Sequence, residues 1–172
     1  KNEFRKENVK KDWAVSGAKG RVPNLIRSLY MQEGVLEEHN KKLQEKYSQI
    51  IKKEIRFEPF KTEDAEIILV AYGSMARLGR EVVNRLREDK VKAGLLRPIT
   101  LWPFPKDVLK ELADRAKFFF VVEMSAGQMV EDVRLSVEGK IPVYFYGRMG
   151  GGVPTPLEVL EKVKEKLNED RG

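Results

Sequence analysis

The sequence predicts an α/β fold in which helices cover both faces of an open, mainly parallel sheet, preceded by an extended arm and one amphipathic helix. Two observations support this prediction. From about Asp64 onward, short apolar runs alternate with stretches of helical periodicity, giving four β-then-α units. Repeated units of this kind form parallel sheets with right-handed crossovers. The first 60 residues lack the alternation, so we expect a different structure there.

The predicted strands are short and apolar. Residues 65–72 form an apolar run that ends at Gly73, as a buried parallel strand does. Residues 91–99 give a second strand. Residues 118–122 are the most apolar run in the chain and predict the central strand, and residues 142–146 predict the last one.

A predicted helix follows each strand. Within 75–87, apolar residues recur at steps of three and four, and charged residues occupy the other face. A second helix follows Pro105, a third covers 128–137, and the last covers 156–168. Alternating strands and helices of these lengths require helices on both faces of the sheet.

Two helix starts carry the spacing of a capping box. Thr155 is followed by proline and then by Glu158, three residues after the predicted cap. Ser125 and Gln128 have the same spacing. We therefore expect the Ser125 and Thr155 side chains to cap the helices that follow them.

The first 60 residues are predicted to be an arm and a helix. Residues 1–29 have no sustained period and contain two glycines and a proline, which favours an extended arm. Residues 35–53 form an amphipathic helix, and 58–62 are expected to be a linker. We divide the chain into 1–60, the arm with its helix, and 61–172, the α/β domain.

Composition excludes several classes of site. The chain has 172 residues and no cysteine, which excludes a disulfide scaffold, a thiol nucleophile and iron–sulfur ligation within this chain. His39 is the only histidine, and it lies on the apolar stripe of the predicted helix. We expect a packed, partly buried imidazole and no metal site.

The net charge of +6 is concentrated in the first 60 residues, where 14 Lys and Arg face 9 Asp and Glu. No nucleic-acid recognition module accompanies this basic segment, so we expect no nucleic-acid partner. No apolar run is long enough to cross a membrane, and the start lacks the apolar centre of a secretion signal. These features favour a cytoplasmic protein, and the Lys and Glu richness suggests a thermophilic source.

Ligands of open parallel sheets usually lie outside the carboxyl ends of the strands, near the point where the strand order reverses. There, Gly73 and Ser74 suit either an anion at a helix start or a tight turn with a serine cap. The glycine-rich loop 147–152 suits either a phosphate or partner backbone, with Arg148 as a charged clamp, or a flexible connector. It is not a P-loop, because no Gly-Lys-Ser/Thr follows.

Two further residues have both a functional and a structural interpretation. Glu123 ends an apolar strand and is either a general base with a raised pKa or an acceptor for neighbouring loop N–H groups, which we favour. Trp102 is either an exposed interface anchor or a cap on the core. The candidate ligand or interface residues are Gly73, Ser74, Trp102, Glu123, Ser125, Gln128, Arg148, Gly150 and Gly151.

Seven short strings, taken in their order and spacing, carry a family resemblance. They are residues 13–17, 36–40, 43–47, 70–74, 96–105, 122–129 and 146–148. On these strings the chain resembles the carboxyl-terminal half of the alpha-type subunit of 2-oxoacid:ferredoxin oxidoreductases, the branched-chain 2-oxoisovalerate kind in particular. The resemblance covers nearly the whole chain from about Trp13.

The resemblance implies an enzyme that decarboxylates a 2-oxoacid on thiamine diphosphate, transfers the acyl group to coenzyme A and passes electrons through iron–sulfur clusters to ferredoxin. In this family the corresponding domain has the fold of the transketolase carboxyl-terminal domain. Thiamine is held by an amino-terminal alpha domain and a separate beta subunit, and both are missing from this sequence. The partners implied are that thiamine-binding beta subunit, a ferredoxin-like iron–sulfur subunit and ferredoxin, with coenzyme A as substrate of the complex.

We therefore expect no cofactor, no metal and no catalytic residue in this chain. The expected role is a structural and assembly domain that is inactive alone and docks through the arm, the helix and the loops at Trp102 and Arg148. Two alternatives remain at this point. One is a domain of another thiamine enzyme, of the transketolase or pyruvate dehydrogenase type. The other is a stand-alone α/β module that binds a small ligand.

Overall fold

The computed structural model describes residues 11–169. Its elements, in chain order, are α1 (Val35–Glu54), β1 (Phe57–Phe60), β2 (Ile67–Ala71), α2 (Gly73–Glu88), β3 (Ala93–Pro98), α3 (Lys106–Ala113), β4 (Phe118–Glu123), α4 (Met129–Val137), β5 (Val143–Gly147) and α5 (Pro156–Glu169). The chain divides into two compact units between Tyr47 and Ser48.

The second unit contains a five-stranded sheet in the order β1-β3-β2-β4-β5. The pairs β3–β2, β2–β4 and β4–β5 are parallel, and the edge strand β1 pairs antiparallel with β3. Helices α2 and α5 cover one face of the sheet, and α3 and α4 cover the other. The predicted fold class is confirmed, including the helices on both faces.

The central strands explain the continuous apolar runs of the sequence. Every residue of β2 and β4 is buried. Alternate side chains of each strand enter opposite cores, so that Phe118 and Phe120 face α2 and α5 while Phe119 and Val121 face α3 and α4. A strand buried on both faces carries no polar alternation, as the sequence predicted.

Strand β1 corrects the predicted linker. The linker was predicted at residues 58–62, but Phe57–Phe60 overlaps it and forms the edge strand of the sheet. Pro59 pairs with Leu96 in the register. Proline is tolerated there because an edge strand leaves half of its backbone N–H groups outside the ladder. The strand has only four residues, and one of them is a proline, so the sequence pattern is too weak to indicate a strand.

The turn between β1 and β2 is fixed by contacts from distant residues. The Arg87 guanidinium donates to the carbonyl oxygens of Lys61 and Ala93 at 2.8 and 2.7 Å. Arg115 donates to the carbonyl oxygen of Thr62 at 2.9 Å. A Cβ added at Gly94 would lie 2.6 Å from the Lys61 carbonyl oxygen, so this glycine allows the turn to pack against β3. The turn is therefore part of the α/β body.

The first unit has a different character. Residues 11–34 contain no helix or strand, and no side chain of α1 is buried. The His39 ring stacks on Tyr30 with a centroid distance of 4.9 Å and is partly buried, which confirms the predicted packed imidazole. Residues 1–10, the beginning of the predicted arm, lie outside the described residues. Within 11–169, none of the helices is long and apolar enough to cross a membrane.

Candidate functional site

The strand order reverses between β2 and β4. The chain leaves β2 for β3 on one side and then crosses to β4 on the other side of β2. Gly73 and Ser74 follow β2, and Met124 and Ser125 follow β4. The two strands pair in parallel through Ala71 and Val122, so these segments emerge side by side at the carboxyl edge. This is the place where an open parallel sheet holds a ligand.

Ser74 does not cap α2. The helix already begins at Gly73, its N-cap is Tyr72, and no side chain makes the capping hydrogen bond. Ser74 therefore lies within the first turn, where its hydroxyl cannot take the cap position, and its Oγ lies 3.7 Å from the Met124 Sδ. The predicted serine cap is wrong. The contact instead links the first residues after β2 with those after β4.

Glu123 is the buried polar centre of this edge. Its side chain is completely buried. Its two carboxylate oxygens accept hydrogen bonds from the backbone N–H groups of Gln128, Met129 and Val130 at 2.9–3.3 Å and from the Ser125 hydroxyl at 3.0 Å. The prediction that this carboxyl group accepts loop N–H groups is confirmed. A carboxylate at a helix N-terminus also interacts favourably with the helix dipole.

The predicted capping box at Ser125 and Gln128 is wrong. Helix α4 begins at Met129, with Gln128 as N-cap and no local side-chain cap. The carboxylate from the preceding strand takes the donors that a local cap would have satisfied. Ser125 donates to that carboxylate and accepts from the Gly127 N–H at 3.2 Å. The loop 124–128 is therefore fixed to the end of β4 by these hydrogen bonds.

Gly147, the first residue of the predicted glycine-rich loop, has a packing role that the sequence did not indicate. A Cβ added there would overlap with the Ser125 carbonyl oxygen and with the Phe145 ring. Only a residue without a side chain allows β5 to approach the loop 124–128 so closely. The one available signal was a glycine at the end of a predicted strand, and such a glycine is equally typical of an ordinary turn.

Arg148 lies near the start of the glycine-rich loop and forms hydrogen bonds to other residues of the chain. Its Nη1 donates to the Glu158 carboxylate at 3.0 Å and to the Val153 carbonyl oxygen at 3.4 Å. Gly150 and Gly151 have positive φ angles of 63° and 85°, and a Cβ added at either glycine would meet no atom within 4 Å. The guanidinium thus joins both ends of the loop, and the two glycines form its open tip.

Glu158 connects this loop with the start of α5. Its carboxylate accepts from the Thr155 N–H at 2.7 Å, and its own N–H donates to the Thr155 Oγ1 at 3.2 Å. The predicted capping box is confirmed at this helix. The hydrogen bonds from Thr155, followed by the nearby Arg148 charge, lower the pKa of Glu158 below its usual value of 4.5.

Trp102 lies in a separate surface region beside the sheet. Its side chain is 58% exposed. A cavity of about 200 Å³ adjoins it, and the residues around this cavity are Ile51, Leu101, Trp102, Pro103, Phe104, Lys106 and Asp132. Thr100 anchors the loop, because its Oγ1 accepts from the Arg56 N–H at 3.0 Å and donates to the Pro103 carbonyl oxygen at 2.9 Å. The exposed ring is therefore presented on a fixed loop.

The structure brings together most of the predicted site residues. Gly73, Ser74, Glu123 and Ser125 belong to the two segments at the strand reversal, and Gln128 closes the same loop. Four large apolar side chains at or after the carboxyl ends of β4 and β5 are 44–60% exposed; they are Met124, Met149, Val153 and Leu157. No group of three potential metal ligands occurs among residues 11–169. The edge thus combines a hydrogen-bonded frame with an apolar surface.

Comparison with known proteins identifies the family. Residues 65–159 match the family model described as pyruvate:ferredoxin oxidoreductase core domain II. The chain belongs to this family. A curated relative, ketoisovalerate oxidoreductase subunit VorB of Methanothermobacter thermautotrophicus, is 46% identical over 153 residues, which are 89% of this chain and 43% of the relative. The chain therefore spans less than half the length of that relative.

Solved structures support the fold. The structure of 2-oxoglutarate:ferredoxin oxidoreductase from Magnetococcus marinus, with 2-oxoglutarate, coenzyme A and succinyl-CoA bound, superimposes with a TM-score of 0.70 at 24% identity over 80% of this chain and 24% of that chain. A split-gene transketolase, described as an inactive beta4 tetramer, gives 0.56 at 20% identity over 66% of this chain and 41% of that one. At these identities the likeness concerns the fold alone, and it confirms the predicted transketolase-like architecture.

Proposed function

We propose that this chain is the carboxyl-terminal assembly domain of an alpha-type subunit of a branched-chain 2-oxoacid:ferredoxin oxidoreductase. The observation that carries the proposal is the 46% identity to a ketoisovalerate oxidoreductase subunit over 89% of the chain. That relative is named subunit VorB, and the motif strings of the sequence favour the alpha type. Neither the identity nor the strings depend on the fold, which many unrelated functions share.

The complex would convert a 2-oxoacid and coenzyme A into an acyl-CoA and carbon dioxide. The two electrons released in the oxidation would pass to ferredoxin. Thiamine diphosphate would supply the decarboxylation chemistry, and iron–sulfur clusters would carry the electrons. With no cysteine in the sequence, the cluster ligands would come from a ferredoxin-like partner subunit, and thiamine diphosphate from a thiamine-binding subunit. We place this complex in the cytoplasm of a thermophilic organism.

The contribution of this chain would be docking. At the strand reversal, the Glu123 carboxylate is enclosed by donors of the chain itself, and the frame it builds holds the loop 124–128 in one position. The exposed side chains Met124 and Met149 belong to this edge, and the exposed Trp102 lies in the separate surface region beside the sheet. Large apolar side chains on fixed loops are suited to anchor protein interfaces.

An affinity pull-down of the tagged chain from its native lysate, followed by mass spectrometry, tests the proposal. We expect recovery of a thiamine-binding subunit and a cysteine-rich ferredoxin-like subunit. The recovered complex should reduce ferredoxin with 2-oxoisovalerate and coenzyme A, and the chain alone should not. A matched preparation carrying an unrelated tagged α/β protein controls for non-specific capture.

Other outcomes identify the alternatives. A thiamine-binding partner without an iron–sulfur subunit would replace the proposal with a transketolase or pyruvate dehydrogenase type enzyme. Recovery of the chain alone, together with binding of inorganic phosphate by the folded chain, would indicate a small-ligand module. Preference for 2-oxoglutarate or pyruvate in the recovered complex would overturn only the branched-chain assignment.

A further inference from the structure

The cavity beside Trp102, which we call the Trp102 cavity, has an apolar wall and two charged residues. One proline and four larger apolar side chains form the wall: Ile51, Leu101, Trp102, Pro103 and Phe104. The two remaining lining residues are Lys106, the first residue of α3, and Asp132, in the first turn of α4. An apolar enclosure with a few convergent polar groups is typical of a small-molecule site, and here the polar groups carry opposite charges.

These two charges stay apart although they line the same cavity. Further along α3, Lys110 reaches Glu138 at the end of α4 and forms an ion pair of 2.7 Å. Within residues 11–169, by contrast, neither the Lys106 ammonium nor the Asp132 carboxylate forms an ion pair or a hydrogen bond. The space between them therefore suits a ligand that brings one carboxylate and one ammonium group.

The size of the Trp102 cavity restricts the ligand further. Its volume is about 200 Å³. An apolar cavity of about 150 Å³ binds benzene, so this one admits a molecule of roughly eight non-hydrogen atoms. L-Valine has that size, an aliphatic side chain and both charged groups on one carbon atom. A protein surface placed over the cavity would instead desolvate both charges and would have to supply a partner of each sign at the same place. The free zwitterion supplies both partners in one molecule.

We propose that the Trp102 cavity binds a small aliphatic α-amino acid as a free zwitterion. The ligand carboxylate pairs with the Lys106 ammonium, the ligand ammonium pairs with the Asp132 carboxylate, and the aliphatic side chain lies against the apolar wall. The site itself goes beyond the proposed function, whereas the choice of L-valine as probe rests on it, because L-valine and 2-oxoisovalerate carry the same branched side chain. The chain thereby responds to the amino counterpart of the substrate that we propose for the complex.

Fluorescence of the full chain carrying Trp13→Phe measures binding, because Trp102 is then the only tryptophan. We expect L-valine to change the Trp102 emission saturably, with a Kd of about 0.1–1 mM, which is reasonable for so small a ligand. N-Acetyl-L-valine lacks the ammonium group and L-valinamide lacks the carboxylate, so each should bind about tenfold more weakly. The analogues leave the protein unchanged, so this comparison does not depend on the folding of a cavity variant.

Substitution of the two charged residues tests their separate roles. Asp132→Asn and Lys106→Gln should each weaken L-valine binding about tenfold. The matched controls are Glu131→Gln and Lys110→Gln, which lie on the same helices without lining the cavity, and both should stay within about twofold of the unsubstituted chain. Asp132→Asn should also lose the preference for L-valine over N-acetyl-L-valine, because the group that recognises the ammonium is gone. A general loss of structure would not produce this selective change.

Three results would overturn the amino-acid site. They are the absence of saturable binding in the millimolar range, equal binding of L-valine and its two analogues, and loss of binding in the recovered complex, where a protein surface would then cover the cavity. Equilibrium dialysis with radiolabelled L-valine measures the last case, and we expect the complex to bind L-valine and its Asp132→Asn form to bind about tenfold more weakly. Failure to recover any complex would contradict the proposed function, whereas L-valine binding by the chain would be unaffected.

Discussion

Helices α4 and α5 begin at the same carboxyl edge of the sheet, and their first N–H groups are satisfied in different ways. At α4, Glu123 reaches from the buried end of the preceding strand to donors five to seven residues further on. At α5, Thr155 and Glu158 satisfy each other within one turn. The first solution ties a loop to the sheet through the cap itself, whereas the capping box of the second lies within the first turn of its own helix, and only the Arg148 hydrogen bond to Glu158 reaches the neighbouring loop. Removing each cap should therefore reduce the free energy of unfolding by a different amount.

Removal of the long-range cap should have the largest effect. We expect Glu123→Ala to reduce the free energy of unfolding by about 3–5 kcal/mol, because the N–H groups of Met129 and Val130 would be left buried without acceptors. Glu123→Gln keeps the shape and one acceptor oxygen, so it should cost about half as much. Guanidinium unfolding followed by circular dichroism measures both. A loss below about 1 kcal/mol for the alanine variant would show that water replaces the carboxylate.

Adding a side chain between β5 and the loop 124–128 should cause the next largest loss in the free energy of unfolding. Gly147→Ala places a Cβ against the Ser125 carbonyl oxygen, closer than van der Waals contact allows, so loop and strand must separate. We expect a loss of about 2–3 kcal/mol, within the range of overpacking. Gly150→Ala is the matched control, since it meets strain at positive φ without a clash and should cost about 1 kcal/mol. Equal losses at the two positions would argue against close packing at Gly147.

Removal of the local cap should have a smaller effect. Thr155→Ala deletes the acceptor for the Glu158 N–H, which lies 3.2 Å away on an exposed helix start. We expect a loss of about 1 kcal/mol, typical for an N-cap residue. The same unfolding experiment measures it, and Thr155→Ser, which keeps the hydroxyl, should restore the wild-type value. A loss as large as that of Glu123→Ala would remove the distinction between the two helix starts.

Protonation of Glu158 at acidic pH should cause the smallest change in stability. The hydrogen bonds from Thr155 lower the pKa of Glu158 in the folded state below its usual value of 4.5. A carboxyl group with a lowered folded-state pKa stabilises the protein at neutral pH, and this stabilisation is lost as the pH falls below 4.5 through the folded-state pKa. Thermal unfolding from neutral to acidic pH should therefore show wild type losing its advantage over Glu158→Gln in that range. A constant difference at all pH values would contradict this cause.

The parts of the fold that were predictable depend on local signals. The runs at 65–72 and 118–122 are apolar because both faces of β2 and β4 are covered, so composition alone indicates them. The capping box at Thr155 is equally local and was predicted correctly. The role of Glu123 as an acceptor for loop N–H groups also followed from its place at the end of an apolar strand.

The parts that were not predictable depend on contacts between distant segments. Strand β1 exists through its pairing with β3, whose residues are 35 or more positions away, and its own sequence shows only two phenylalanines and a proline. Ser125 has the spacing of a cap, but a carboxylate from the strand competes for the same donors and takes them. Gly147 is required by the approach of another loop, which leaves no trace in neighbouring residues.

The pairing of β1 with β3 has a practical consequence for truncation. Composition divides the chain near residue 60, and a fragment cut there would lack Phe57–Phe60. The outer edge of β3, including Leu95 and Leu96, would then present unpaired N–H and C=O groups on an apolar strand. Such an edge recruits strands from other molecules, so the shortened protein should aggregate. Fragments for crystallisation or labelling should therefore begin before Phe57.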